Sequence, residues 1–155
     1  VRNLMSMGNA AENSLLLLLF NNTDFALIGD AAGLQNSAAA GSLYVALHTG
    51  DPGEAGNQTT SEATYTSYTR VAVARSGAGW TVSGTAPTQV ANAGVVTFPT
   101  CTGSNSTCTY FSIGTDFSGA GVLLLSGALV SPSSIAVTNG VAPYFPIGAL
   151  VTTVD

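Results

Sequence analysis

The sequence predicts a mainly β fold: a single β-sandwich, of jelly-roll or immunoglobulin-like strand order, carrying one short N-terminal α-helix. Three observations lead there. From Ser42 onward, apolar residues recur with a period of two in several short runs. Gly, Pro, Asn and Asp separate those runs at near-regular intervals, the pattern of many short strands joined by turns. Helix chemistry is confined to the stretch before them, around the five leucines Leu15 to Leu19.

Asn9-Ala10-Ala11-Glu12 has the spacing of a capping box, in which a small polar side chain accepts from first-turn amides and a glutamate three residues on reaches back. Leucines, good helix formers, follow, and Asn21-Asn22-Thr23 supplies stop chemistry. The spacing predicts a helix over 10–20. Consecutive leucines wrap right around such a helix, and a helix apolar on all sides is a buried one. A short terminal helix is seldom enclosed by its own domain. Its second face is therefore expected to meet another subunit, through Leu15, Leu16, Leu18, Leu19 and Phe20; a covering loop is the competing arrangement. The run is far shorter than the roughly 20 apolar residues that span a bilayer. Glu12 and Asn13 directly before it, and its length, also argue against a signal-peptide core.

Residues 25–41 are low in charge, rich in Ala, Gly, Asn and Ser, and interrupted by Gly29, Gly33 and Gly41, which predicts an irregular connector. Residues 1–41 thus read as a docking arm and 42–155 as the sandwich. In the latter, Leu43, Val45 and Leu47 alternate with Tyr44, Ala46 and His48, and Thr49-Gly50-Asp51-Pro52-Gly53 ends that strand. A second strand is expected over 68–75, with Val71 and Val73 on one face. Ser76-Gly77-Ala78-Gly79 then reads as the turn of a hairpin into Trp80-Thr81-Val82-Ser83. Further strands are expected over 94–98, 109–114, 122–130, 134–137 and 150–154.

Charge is the unusual quantity. Only 7% of residues are Asp, Glu, Lys or Arg, against roughly 25% in ordinary soluble domains. The basic residues are Arg2, Arg70 and Arg75, with no lysine, and the net charge is −5. Three scattered arginines cannot neutralise a run of phosphates, so no nucleic-acid partner is expected. A soluble monomer normally carries a mixed charged surface. A surface of Ser, Thr, Asn, Gly and Ala fits either an extracellular β protein or one whose faces are covered by neighbours.

Cys101 and Cys108 flank a six-residue polar segment at the expected tip of a hairpin. With His48 on another strand there are too few ligands for zinc. A disulfide closing the loop is expected, worth roughly 2–2.5 kcal/mol by the chain-entropy model; two free thiols are the alternative. His48, Asp51, Glu54 and Glu62 lie close in sequence and admit a His–carboxylate pair or a calcium site, but also an ordinary turn. No G-x-S-x-G, H-E-x-x-H or P-loop accompanies them. Neither catalytic residues nor a cofactor or metal are expected. Tyr65, Tyr68, Trp80, Tyr110 and Tyr144 could build a sugar-stacking platform, although aromatics in such folds more often pack the core.

Several segments share an order with a known group. Glu12-Asn13-Ser14-Leu15-Leu16 leads to Phe20. Leu43-Tyr44-Val45-Ala46-Leu47-His48-Thr49 is followed by Asp51-Pro52-Gly53. The chain closes with Asn139-Gly140-Val141-Ala142-Pro143-Tyr144-Phe145 and Gly148-Ala149-Leu150. Tyr68-Thr69-Arg70-Val71-Ala72-Val73 and Ala93-Gly94-Val95-Val96-Thr97-Phe98-Pro99 fit between them. This order resembles a family of small bacteriophage virion proteins often labelled "tail fibre protein", over most of the chain from Glu12 onward. The resemblance implies a non-enzymatic virion structural role and a mostly β fold, as a tail-associated fibre or appendage or as a capsid-decoration subunit. A virion role implies docking on capsid, portal, adaptor or tail proteins and assembly in the host cytoplasm before release in the particle; the apolar helix and low charge predict homo-oligomers, and the short leucine run predicts no membrane partner. Oxidation of the cysteine pair would then follow lysis. The 25–41 connector and the cysteines depart from the family's shorter members. A receptor- or glycan-binding adhesion module of a phage particle is the alternative.

Overall fold

The computed structural model describes residues 6–84 and 88–154; Arg2 lies outside them. In chain order the elements are α1 (Asn9–Asn21), β1 (Ser42–His48), β2 (Val71–Ala74), β3 (Trp80–Ser83), β4 (Thr88–Asn92), β5 (Val96–Thr97), β6 (Ser106–Cys108), β7 (Tyr110–Gly114), β8 (Leu123–Ala128), β9 (Ile135–Val137), β10 (Tyr144–Phe145) and β11 (Val151–Val154). The fold class is mainly β with one short N-terminal helix, as the sequence predicts, and its sheets are antiparallel ones of the kind that build a β-sandwich. The chain forms two compact units, one from Val1–Gly41, Ala74–Val95 and Pro146–Asp155, the other from Ser42–Val73 and Val96–Phe145.

In the first unit α1 lies on a three-stranded sheet of order β11-β4-β3. The central strand β4 alternates: Thr88, Val90 and Asn92 are buried and the residues between them are half-buried. The helix answers with one stripe at i, i+4 and i+8: Glu12, Leu16 and Phe20. Phe20 meets Trp80 of β3 edge to face, with ring centroids 5.0 Å apart. Glu12 accepts a hydrogen bond from the Thr88 hydroxyl at 3.1 Å. This corrects the capping-box reading: Gly8 is the N-cap, no side chain caps the helix, and Glu12 points into the sheet.

The C-terminal end of α1 is closed differently. Asn22 adopts the left-handed conformation, and the Thr23 amide donates back to the Leu17 carbonyl. Arg75 then donates from Nε to the Leu19 carbonyl at 2.8 Å and from Nη2 to the Leu18 carbonyl at 2.7 Å. A cation there complements the negative end of the helix dipole. The same guanidinium reaches the Ala40 carbonyl, and Asn22 exchanges hydrogen bonds with the backbone of Ser37. The 25–41 connector is irregular, as expected, but it is pinned by these bonds and by the Phe25–Leu34 bridge. Gly33 is required there: its φ is +70°, and a Cβ would collide with the Phe25 carbonyl.

The second unit is built on a four-stranded sheet of order β2-β1-β7-β8. Leu43, Val45 and Leu47 of β1 are buried, and so are Ala46 and His48 on the opposite face. Aromatic contacts run from Tyr65 to Tyr68, Phe98, Phe145 and Phe111, with centroids 5.3 to 6.2 Å apart. Two short pairs, β5 with β10 and β6 with β9, complete it.

Two expected hairpins are not formed. β3 pairs with β4 and not with β2. The Gly79 and Trp80 amides both fold back onto the Ser76 carbonyl, so the turn delivers Trp80 beneath α1. The segment between the cysteines does not join two paired strands either, because β6 inside it pairs with β9.

Replacing Phe20 with Ala is expected to cost about 3–5 kcal/mol in chemical denaturation. It should also red-shift the emission of Trp80, the only tryptophan. An unchanged midpoint and spectrum would contradict the packing described.

Candidate functional site

After β1 the chain makes a polar excursion and returns. The Thr49 amide donates to the Ser61 carbonyl at 2.7 Å and the Ala63 amide to the Leu47 carbonyl at 2.8 Å, with a bridge between His48 and Glu62. The return brings Glu62 to the end of β1. Asp51 and Glu54 stay exposed on the excursion, and Asp51 serves its own turn by accepting from the Gly53 amide. The structure therefore does not gather His48, Asp51, Glu54 and Glu62 into one site. Among the described residues no group of three or more His, Cys, Asp or Glu side chains converges as metal ligands.

What it gathers instead is Glu62 and Arg70. Arg70 donates from Nε to Glu62 Oε1 at 2.7 Å and from Nη2 to Oε2 at 2.8 Å, a bidentate fork. Its remaining donors reach the carbonyls of Asp116 and Gly119, each at 2.8 Å. The Tyr68 hydroxyl donates to Glu62 Oε1 at 3.0 Å. The arginine side chain is 2% exposed and the glutamate 16%. Its hydrogen bonds to the Glu62 carboxylate hold the guanidinium even more firmly charged than usual. Burial, and then the Glu62 charge, push the Tyr68 phenol well above its ordinary value.

Gln58, fully buried, grips the same loop. It donates to the Asp116 carbonyl at 3.2 Å and accepts from the Asp116 amide at 2.9 Å, while its own amide donates to the Ala120 carbonyl. The connection between β7 and β8 is thus tied by Arg70 and Gln58. Gly121 is part of the fit: its φ is +51°, and a Cβ there would run into the Gln58 side chain. Beside this network lies a shallow cleft of about 390 Å³, lined among others by Thr59, Glu62, Thr64, Tyr68, Arg70 and Phe117. Phe117 is 53% exposed and meets Tyr44 edge to face at 6.0 Å.

The single histidine has a structural role. His48 Nδ1 lies 2.8 Å from the Thr60 carbonyl, which can only accept, so Nδ1 carries the proton. Nε2 then accepts from the Ser112 hydroxyl at 2.7 Å. Burial lowers the His48 pKa from 6.5, which keeps the ring neutral. A serine–histidine contact is the geometry of an activated nucleophile, but neither residue has any exposed surface through which a substrate could reach it. Ser112 gave no signal in the sequence, because its partner is 64 positions away.

The other expected residues are dispersed. Cys101 and Cys108 are free, buried thiols where the sequence reading expected a disulfide. Cys101 Sγ faces the carbonyls of Gly103 and Ser104, and burial pushes the Cys108 thiol up to about 11. Of the five helix residues expected at an interface, Leu16 and Phe20 are taken by the unit's own sheet. Leu15 and Leu18 are half-buried, and Leu19 is 40% exposed. The sugar platform is not assembled: Trp80 and Tyr65 are core residues, and Tyr144 alone of the five aromatics is largely exposed.

A buried ion pair, a tied loop and packed aromatics thus sit in a mainly β chain of very low charge. The family model for Podophage GP4 fiber I protein gp80 matches residues 6–153, and the chain belongs to that family. It is a phage fibre structural protein and a component of the virion, in agreement with the resemblance carried by its segment order. No curated protein matches it.

Two consequences can be measured. Replacing Arg70 with Met should cost about 3 kcal/mol, the low end for a half-broken buried pair because Glu62 keeps some water. Replacement with Lys should cost nearly as much, because an ammonium cannot serve both carboxylate oxygens and two carbonyls. A neutral effect would contradict the network. For His48, the folded pKa lies below the unfolded value of 6.5. Stability is then full above pH 6.5 and falls as the pH drops below it, because the unfolded chain takes the proton first, by at most about 1.4 kcal/mol per pH unit. Thermal melts between pH 7.5 and 5.5 should show that slope, and His48→Gln should flatten it.

Proposed function

We propose that this fibre protein works without catalysis, by docking on neighbouring virion proteins. It serves as a tail-associated fibre or appendage subunit or as a capsid decoration. Its partners are further copies of itself and capsid, portal, adaptor or tail proteins; it assembles in the host cytoplasm and leaves within the particle. The observation that carries this reading is exposed apolar surface on a chain with almost no charge. Leu19, Leu27, Ile28 and Leu34 of the first unit are 40 to 81% exposed. Leu27 is held at φ +68°, a costly conformation for a leucine. Isolated exposed leucines are ordinary; several within residues 19–34, beside the half-buried Leu15 and Leu18, suit the docking arm that residues 1–41 were expected to form.

A second reading is adhesion to a host receptor or glycan. The observation favouring it is the cleft beside Phe117, where an exposed aromatic ring stands near the hydroxyls of Thr59 and Thr64 and the Glu62 carboxylate.

Labelling intact particles with an antibody to this chain, and weighing the purified chain by light scattering, separates the readings. Docking predicts regular labelling at one location and a homo-oligomer. A stable monomer at high micromolar concentration, or particles without the protein, would overturn it. Adhesion predicts that Phe117→Ala lowers host adsorption while particle composition stays unchanged.

A further inference from the structure

The four-stranded sheet of the second unit ends at β8, so one side of that strand has no partner strand among the described residues. Which residues face that side follows from the pairing phase. The Leu129 amide donates to the Thr109 carbonyl at 2.8 Å, and the register places Gly127 opposite Phe111 and Leu125 opposite Ile113. Hydrogen-bonded pairs alternate along an antiparallel ladder, so Leu125, Gly127 and Leu129 bond to β7. The amides and carbonyls of Ser126 and Ala128 therefore point to the open side.

Edge strands are ordinarily blunted by charge, by proline or by a bulge. Between Asp116 and Asp155 the sequence has no charged residue at all. A bulge is present, but it sits at the start of the strand, where Leu124 falls between the paired Leu123 and Leu125. It leaves 125–129 regular. Val130, just beyond, is 88% exposed, and Leu124 is 38% exposed.

We propose that β8 pairs antiparallel with β8 of a second copy of this chain, across a two-fold axis at Gly127. The proposal rests on the homo-oligomer reading above and names its interface. An open strand edge selects extended backbone as its occupant, and this edge is complementary to itself. The axis at Gly127 sets Ser126 opposite the partner's Ala128, so that the open-side groups of both residues form reciprocal hydrogen bonds. It sets Leu125 against Leu129, and Leu124 against the exposed Val130. It joins small residues to small and large apolar residues to each other, and no charge meets a like charge. The bulge stays outside the hydrogen-bonded stretch, and a two-fold contact of this kind closes on itself.

The test uses the full chain. Chains carrying Ser126→Cys and chains carrying Ala128→Cys are mixed and oxidised gently; the hydrogen-bonded cross-strand spacing of about 5.5 Å lies within disulfide reach. The proposal expects a cross-linked dimer in the mixture and little in either variant alone. It also expects Ala128→Lys, an exposed position, to turn the oligomer into a monomer that keeps the wild-type circular dichroism spectrum. A wild-type oligomer that survives Ala128→Lys, with no cross-link in the mixture, overturns this interface and leaves the homo-oligomer reading standing. Cross-linking of Ser126→Cys alone overturns the register. A wild-type monomer at high micromolar concentration overturns both.

Discussion

Arg70 holds four oxygens at once, two on the Glu62 carboxylate and the main-chain carbonyls of Asp116 and Gly119. Each of those oxygens lies at an irregular part of the chain, where no strand ladder can satisfy it. A buried guanidinium without its carboxylate is expensive, and so is a buried carbonyl without a donor. The fork therefore couples the end of the excursion after β1 to the loop between β7 and β8. Gln58 repeats the coupling on the same residue, through the amide and carbonyl of Asp116. His48 and Ser112 add a third polar tie between neighbouring strands. A chain this poor in charge spends its one ion pair among the described residues inside, on geometry, and leaves its surface to polar and apolar neutral groups.

That arrangement explains which parts of the fold were legible in the sequence. The period of two over residues 42–48 marked β1, and Val71 and Val73 lie together, half-buried, as expected. These patterns follow from burial of apolar side chains, which hydropathy reports directly. The strand β4 was missed because its buried positions include Thr88 and Asn92. Asn92 is buried at no loss because its amide and carbonyl are consumed by the Gly94 and Pro146 carbonyls and the Leu150 amide. The helix shows the same blind spot. Five leucines promised burial on all sides, yet the stripe that packs includes Glu12, which hydropathy would send to solvent. The polar network was illegible for a simple reason: its partners are tens of positions apart, and no local spacing encodes them.

The functional residues divide along the same line. The phage-fibre assignment was readable in the order of short apolar segments, and the family match over 6–153 bears it out. The proposed contact surfaces were readable only in part. Leu19 is 40% exposed, whereas Leu16 and Phe20 belong to the interior. The open side of β8 could not be read at all, because an edge is a property of strand order and strand order is not a local pattern. Under the proposed docking, the chemistry lies in what the fold leaves unpaired: backbone groups on one strand and apolar side chains without charges around them.

Hydrogen exchange, compared between intact particles and the dilute purified chain, addresses the claim that this protein functions by covering those surfaces with neighbours. The account predicts that amides at Ser126 and Ala128, and those of the connector around Leu27, exchange far more slowly in particles. Amides around Gln58, Glu62 and Arg70 should exchange alike in both, because their protection is internal. Identical exchange at all of these positions would contradict it.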